Sequence, residues 1–170
     1  MLERACQAEA RVCIVSNRAC HRPAIAGFFA SISRLGNGVF WYVLIALLPV
    51  LYGAAALSVS ARMMLAGIVG VAVYKLLKAR TERSRPYLVL REIDLVERPL
   101  DAGSFPSGHT LHAASFTLIA VSAYPGLGWL LLPFAVLVAL SRLVLGLHYP
   151  SDVLAGAAIG LAIGQAALLV

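Results

Sequence analysis

From Thr110 to Ser141 the chain carries no Asp, Glu, Lys or Arg, and no other feature limits its fold so strongly. A charge-free run of that length leaves no face for water. It also exceeds the roughly 20 residues that cross about 30 Å of hydrocarbon. The segment "YPGLG" at 124–128 supplies a break, so the run reads as two helices of a hairpin. Composition agrees: 61% of the residues are hydrophobic and 13% charged, against about 25% charged in a soluble domain.

Other stretches parse the same way. Residues 38–58, "GVFWYVLIALLPVLYGAAALS", carry no charge and are long enough to span, with Pro49 a candidate kink. "SVSAR" at 58–62 reads as a tight turn, and residues 63–78 as the return. Residues 79–106 are polar and hold most of the acidic side chains. The last span covers about 151–170. Gly156, Gly160 and Gly164 recur every four residues there, which lets another helix approach closely. Such a stripe serves either a homodimer or packing inside one bundle.

The expected fold is an all-α integral membrane bundle of about five transmembrane helices, preceded by an amphipathic interfacial helix. The division expected is 1–36 for the interfacial segment and 37–170 for the membrane-embedded part. In the first twenty residues "RAC", "RVC" and "RAC" repeat every seven positions. On a helix this aligns Cys6, Cys13 and Cys20 in one stripe beside Arg4, Arg11 and Arg18. Single cysteines seven apart lack the close pairing of a zinc site, so the helix is expected to press small thiols into protein or lipid. Charges at Glu3, Arg4, Glu9, Arg11 and Arg18 leave no apolar core for a secretory signal. The net charge is +6. Its basic residues flank apolar spans without interleaved aromatics, so anionic headgroups or phosphate substrates are expected partners and nucleic acid is not.

Ionisable groups are expensive in such a chain and usually functional. Lys78 closes the second span, and His109 opens the third after a loop that need not cross. The hairpin then returns Arg142 and His148 to the same side. Three separated polar clusters thus meet on one face. Lys78 and Arg85 offer a point charge and a planar fork to phosphate oxygens, while Arg80 and Arg83 read as topology anchors. In "SFPSGHT", 104–110, Ser107 is placed as an N-cap, and the N–H groups after it form an anion site beside Gly108 and His109. In "SRLVLGLHYPSD", Asp152 lies four residues after His148 and can hold one ring nitrogen, leaving the other free to attack. Arg142 enters the same pocket. His112 is expected on the pocket wall, His21 at the interface, and Tyr87 and Tyr149 at the mouth.

Taken in order, Lys78-x6-Arg85-Pro86, Pro106-Ser107-Gly108-His109 and Ser141-Arg142-x5-His148-x3-Asp152 resemble the three signature motifs of the type-2 phosphatidic acid phosphatase (lipid phosphate phosphatase) superfamily, which also includes soluble vanadium haloperoxidases. The resemblance covers about residues 63–165. It implies an in-line attack by His148 on phosphorus, a phosphohistidine, and Asp152 on the far ring nitrogen. Lys78, Arg85, Arg142, Ser107 and the Gly108 N–H would hold the phosphoryl oxygens. His109 would protonate the leaving oxygen and then deprotonate water. No metal or other cofactor is implied, because three fixed cations supply the charge.

The expected function is therefore hydrolysis of a membrane lipid phosphate or diphosphate monoester, of polyprenyl diphosphate, phosphatidylglycerophosphate or phosphatidic acid type, by a multi-pass protein of the plasma (inner) membrane. Two rivals stand beside it: a vanadate-dependent haloperoxidase, disfavoured by the apolar spans, and a non-catalytic scaffold. Basic residues outside the motifs put the active face in the cytoplasm, whereas the resemblance to polyprenyl-recycling enzymes leans to the outer face.

Overall fold

The computed structural model describes residues 2–99 and 101–170, and every regular element among them is helical. Helix α1 (Leu2–Asn17) leads through a 3-10 turn into α2 (Pro23–Arg34), and a π-helical turn at Leu35–Val39 joins that to α3 (Phe40–Tyr52). Helix α4 (Ala56–Thr81) is followed by the single turn α5 (Pro86–Val89) and an irregular loop. Helices α6 (Gly108–Ala123), α7 (Gly128–Val144) and α8 (Pro150–Ala167) complete the chain.

Helix α6 is central, packed on α4, α7 and α8. Its Ala113, Phe116, Ile119 and Ala120 meet Leu48 and Trp41 of α3, Met63 of α4, and Leu131 and Phe134 of α7 in one apolar core. Trp41 lies with its ring 5.5 Å from both Phe116 and Phe134, linking three helices. The outer surface inverts the pattern of a soluble protein: Val50, Ile68, Trp129 and Leu154 are each at least 70% exposed. That surface suits lipid rather than water. Three stretches, Pro23–Tyr52, Ala56–Val89 and Pro125–Val144, are long and apolar enough to cross a membrane. The chain is thus a multi-pass membrane protein. Helix α6, with 16 residues, reaches about 24 Å at 1.5 Å per residue.

Three expectations change. The turn after α3 is not "SVSAR" but Gly53–Ala55, and residues 58–62 lie inside α4. Ser58 and Ser60 looked like turn residues, yet their hydroxyls donate to the Ala55 and Ile45 carbonyls, which satisfies them within helices. The first stretch long and apolar enough to cross starts at Pro23 rather than Gly38. The break inside that stretch is at Asn37 and Gly38, where Gly38 has φ 123°. Finally, the glycine stripe of α8 is buried against α6 and is not free as a dimer face. A Cβ at Gly156 would meet the Ser107 carbonyl oxygen at 2.5 Å, and one at Gly160 would come closer still to that of Leu111.

Helix α1 lies on α7 and α8. Cys13 is buried there, Cys20 half-buried and Cys6 exposed, with Arg11 and Arg18 facing outward. Cys13 and Cys20 therefore press into protein, and Cys6 does not. The Arg4 side chain lies outside the described residues.

Two glycine-to-alanine changes should separate close packing from helix propensity. Gly27 of α2 has nothing within 4 Å of its would-be Cβ, so Gly27→Ala should stabilise by up to about 1 kcal/mol. Gly160→Ala should destabilise by about 1–3 kcal/mol or more through overpacking. Thermal melting of the detergent-solubilised protein checks both signs.

Candidate active site

The loop between α7 and α8 is built to hold His148 still. Gly146 turns the chain with φ 68°, and a Cβ there would collide with Ile93. The Leu147 and His148 N–H groups both donate to the Arg142 carbonyl. Pro150 then occupies the first turn of α8, where its missing N–H costs nothing. Asp152, at the third helical position, accepts the Tyr149 N–H at 2.8 Å through Oδ2, the local contact that an acidic residue makes at a helix start.

Around this loop the structure gathers the expected residues. A cavity of about 580 Å³ is lined at its polar end by Lys78, Arg85, Gly108, His109, Arg142 and His148. The three clusters are tied directly: Ser107 N–H donates to the Asp152 carbonyl at 3.0 Å, and Arg85 Nη1 to the Leu147 carbonyl at 2.9 Å. Arg85, Arg142, His148 and Asp152 are buried. The cavity's other wall is apolar, formed by Trp41, Met63, Met64, Ile68, Val71 and Phe116. His112 is on the cavity wall, as expected, with its ring nitrogens against the Gly108 and Gly67 carbonyls.

The tautomer of His148 follows from its neighbours. Nε2 lies 3.3 Å from Arg85 Nη1, and arginine can only donate, so Nε2 is the acceptor and the proton sits on Nδ1. Nδ1 faces Asp152 Oδ2 at 3.6 Å, an ion-pair distance slightly longer than a hydrogen bond. Burial drives the imidazole pKa down to about 4, the Arg142 and Arg85 charges adding to burial and Asp152 opposing it. The ring is therefore neutral at ordinary pH, with a lone pair on the cavity side.

Three expectations about the site need correction. Arg83 is not an anchor: its Nη1 contacts Asp152 Oδ1 at 2.6 Å and Ser151 Oγ at 2.7 Å, its Nη2 contacts Glu9 Oε2 at 2.8 Å, and it stacks over the Tyr149 ring. Tyr149 accordingly supports Arg83 and does not line the cavity, and neither does Tyr87. Ser107 caps α6 as predicted, but its buried hydroxyl is paired with Thr110 Oγ1 at 2.9 Å and is not on the cavity wall. Gly108 and His109 hold the first two helical positions, whose N–H groups have no partner within the helix.

Four participants escaped the sequence reading: Glu9, Arg83, Ser104 and Asp101. Ser104 Oγ donates to Asp152 Oδ2. Asp101 Oδ1 bridges Lys78 Nζ at 2.5 Å and Arg85 Nη2 at 2.8 Å. Burial opposes ionisation of Asp101, but the hydrogen bonds and charges of Lys78 and Arg85 outweigh it and hold the carboxyl below its ordinary value. An oxyanion supplied by the chain itself thus already sits between two of the cavity cations.

This fold and this cluster define a family. The chain belongs to the PAP2 superfamily, whose sequence profile matches residues 55–170. It is 34% identical over 173 residues to the decaprenylphosphoryl-5-phosphoribose phosphatase of Mycobacterium tuberculosis, covering 96% of this chain and 91% of that protein. Undecaprenyl-diphosphatase BcrC of Bacillus subtilis is 33% identical over 98 residues, 58% of this chain. The aligned part spans about half the length of that relative and of the bacitracin transport permease protein BcrC of Bacillus licheniformis, at 50% and 47%. Among solved structures, the transmembrane PAP2 type phosphatidylglycerolphosphate phosphatase of Bacillus subtilis superposes with a TM-score of 0.77 at 25% identity, over 97% of this chain and 85% of that one.

Asp101 competes with any phosphate for Lys78 and Arg85. Asp101→Asn should tighten inhibition by orthophosphate or vanadate about tenfold, the scale of a hydrogen bond to a charged group. Inhibition constants for the two anions check this; weaker inhibition would mean that Asp101 holds the cations in place for the anion instead.

Proposed function

We propose that the protein is an integral membrane lipid phosphatase that releases phosphate from a lipid phosphate or diphosphate monoester through a phosphohistidine on His148. The observation that carries this reading is the divided cavity. Its cationic end is lined by the neutral His148, whose Nε2 carries the lone pair, and its apolar wall is drawn mainly from α3 and α4, where an acyl or prenyl chain can lie.

In the first step His148 Nε2 attacks phosphorus, and the bond to the leaving oxygen breaks as His109 donates a proton to it. Lys78, Arg85, Arg142 and the N-terminal N–H groups of α6 at Gly108 and His109 stabilise the charge on the three equatorial oxygens. Asp152 stabilises the imidazolium that forms. In the second step His109 accepts a proton from water, water oxygen bonds to phosphorus, and the P–N bond breaks. No step calls for a metal ion. The substrate class favoured is a polyprenyl-linked phosphate, because the relative aligned over nearly its whole length is a decaprenylphosphoryl-5-phosphoribose phosphatase.

For the membrane we propose five crossings of the plasma (inner) membrane, with α6 and α8 joining the three longer stretches from Pro23 onward, while α1 lies at the interface. The catalytic end of the bundle carries Arg80, Arg83, Arg91 and Arg98, whereas Arg62 stands near the other end of α4. The positive-inside rule then favours a cytoplasmic active face.

The purified protein, assayed in EDTA against polyprenyl phosphates and diphosphates, phosphatidylglycerophosphate and phosphatidic acid, should release phosphate from at least one of them and be inhibited by vanadate. Loss of turnover on chelation, restored by magnesium, contradicts the metal-free route. Because the His148 pKa is lowered, protonation removes the nucleophile only near pH 4. The acid limb of kcat/KM should therefore lie well below the pH 6.5 of an ordinary histidine, once substrate ionisation near pH 6 is allowed for. Ala102 is exposed on the catalytic side. In a cysteine-free background, Ala102→Cys should resist an impermeant maleimide on intact cells, and labelling there would reverse the assigned sidedness.

A further inference from the structure

Helix α1 does more than cover the catalytic loop. Glu9, Cys13 and Asn17 share one face of the helix, Cys20 follows in the 3-10 turn, and each reaches an element of the site. Asn17 Nδ2 donates to the Val144 carbonyl at 2.9 Å and to that of Asp94 at 3.1 Å. Cys13 Sγ lies 3.7 Å from the His148 carbonyl, and Cys20 Sγ 3.2 Å from that of Val144. Glu9 uses both carboxylate oxygens: Oε1 accepts the Ser151 N–H at 2.9 Å, and Oε2 accepts Arg83 Nη2 at 2.8 Å. Ser151 N–H is one of the unpaired donors at the positive end of α8, so α1 supplies an anionic cap to the helix that carries Asp152.

We propose that Glu9 and Arg83 are positioning residues for the nucleophile, acting through Asp152. This rests on the assignment of His148 as nucleophile. Arg83 is held by Glu9, by Ser151 Oγ and by the Tyr149 ring. Its remaining contact, Nη1 to Asp152 Oδ1 at 2.6 Å, therefore fixes one oxygen of a carboxylate with no exposed surface. With Oδ1 held by Arg83 and Oδ2 by Ser104 Oγ and the Tyr149 N–H, both ends of the carboxylate are fixed, and Oδ2 lies 3.6 Å from His148 Nδ1. Glu9 also counters the Arg83 charge. Without it the guanidinium would bind Asp152 more strongly and draw the carboxylate away from the imidazole. Glu9 is ionised for this role: burial opposes its ionisation, but the Ser151 and Arg83 hydrogen bonds hold its carboxyl below the ordinary value.

The test uses the full-length protein in nanodiscs with an aryl phosphate as substrate. Glu9→Gln can still accept the Ser151 N–H, but its amide cannot satisfy Arg83. Arg83→Gln removes the link itself. Each should lower kcat by roughly 10–100-fold, the usual cost of losing a group that orients a reactive one. KM and the vanadate inhibition constant should stay within about threefold. The double variant should be no worse than Arg83→Gln alone, because Glu9→Gln keeps the Ser151 contact and disturbs only the one to Arg83. Arg11→Gln, on the exposed face of the same helix, should keep full activity.

Should Glu9→Gln fail to fold by thermal melting, Arg83→Lys carries the same test, since it keeps the cation but loses the fork. Wild-type kcat in Glu9→Gln, losses that multiply in the double variant, or a loss confined to KM would each overturn the positioning role. His148→Ala separates the two claims. If it still turns over, the nucleophile assignment falls. If it is dead while Glu9→Gln is fully active, only the positioning role falls.

Discussion

The buried carboxylate of Asp152 organises the catalytic end of this bundle. An ion with no exposed surface costs several kcal/mol to desolvate, and only good partners offset that. Asp152 draws them from three parts of the chain: Arg83 after α4, Ser104 before α6, and the Tyr149 N–H at its own helix start. Satisfying one charge therefore brings together the segments that carry Lys78 and Arg85, His109, and His148. The chemistry and the local tertiary structure share one set of contacts. That sharing explains how a site can be precise where the described residues between α5 and α6 form no regular element.

The rest of the bundle serves the cavity that this cluster closes. Backbone contact between α8 and α6 at Gly156 and Gly160 holds the α8 start against the α6 start, joined by the Ser107–Asp152 hydrogen bond. Trp41 and Phe116 pack the core and also form the apolar wall of the cavity. A substrate can keep its chain on that wall while its phosphate meets the cations. The arrangement suits a lipid whose headgroup lies at the edge of the hydrocarbon.

Much of this was legible in the sequence because the informative residues are chemically unusual in their surroundings. Lys78, Arg85, His109, Arg142 and His148 are charged or titratable groups at the ends of apolar runs, and all five line one cavity. Arg83 was missed because a juxtamembrane arginine looks the same whether it meets lipid or a carboxylate 69 residues away. Glu9 was missed for a related reason, since its partner lies 74 residues on. Its spacing with Cys13 and Asn17 on one helical face was the signal available. The α3–α4 turn was misread because serines look like turn formers, although a hydroxyl can be satisfied inside a helix. Gly53 was the better marker.

The central claim is that His148, and no hydroxyl or water, attacks phosphorus first. Rapid-quench trapping with a labelled aryl phosphate tests it directly. A substrate with a good leaving group needs little protonation, so removing His109 should slow hydrolysis of the intermediate more than its formation. His109→Ala should then accumulate a base-stable, acid-labile phosphoenzyme that His148→Ala never shows. A phosphoryl group found on Ser107, or present equally in His148→Ala, would contradict the account.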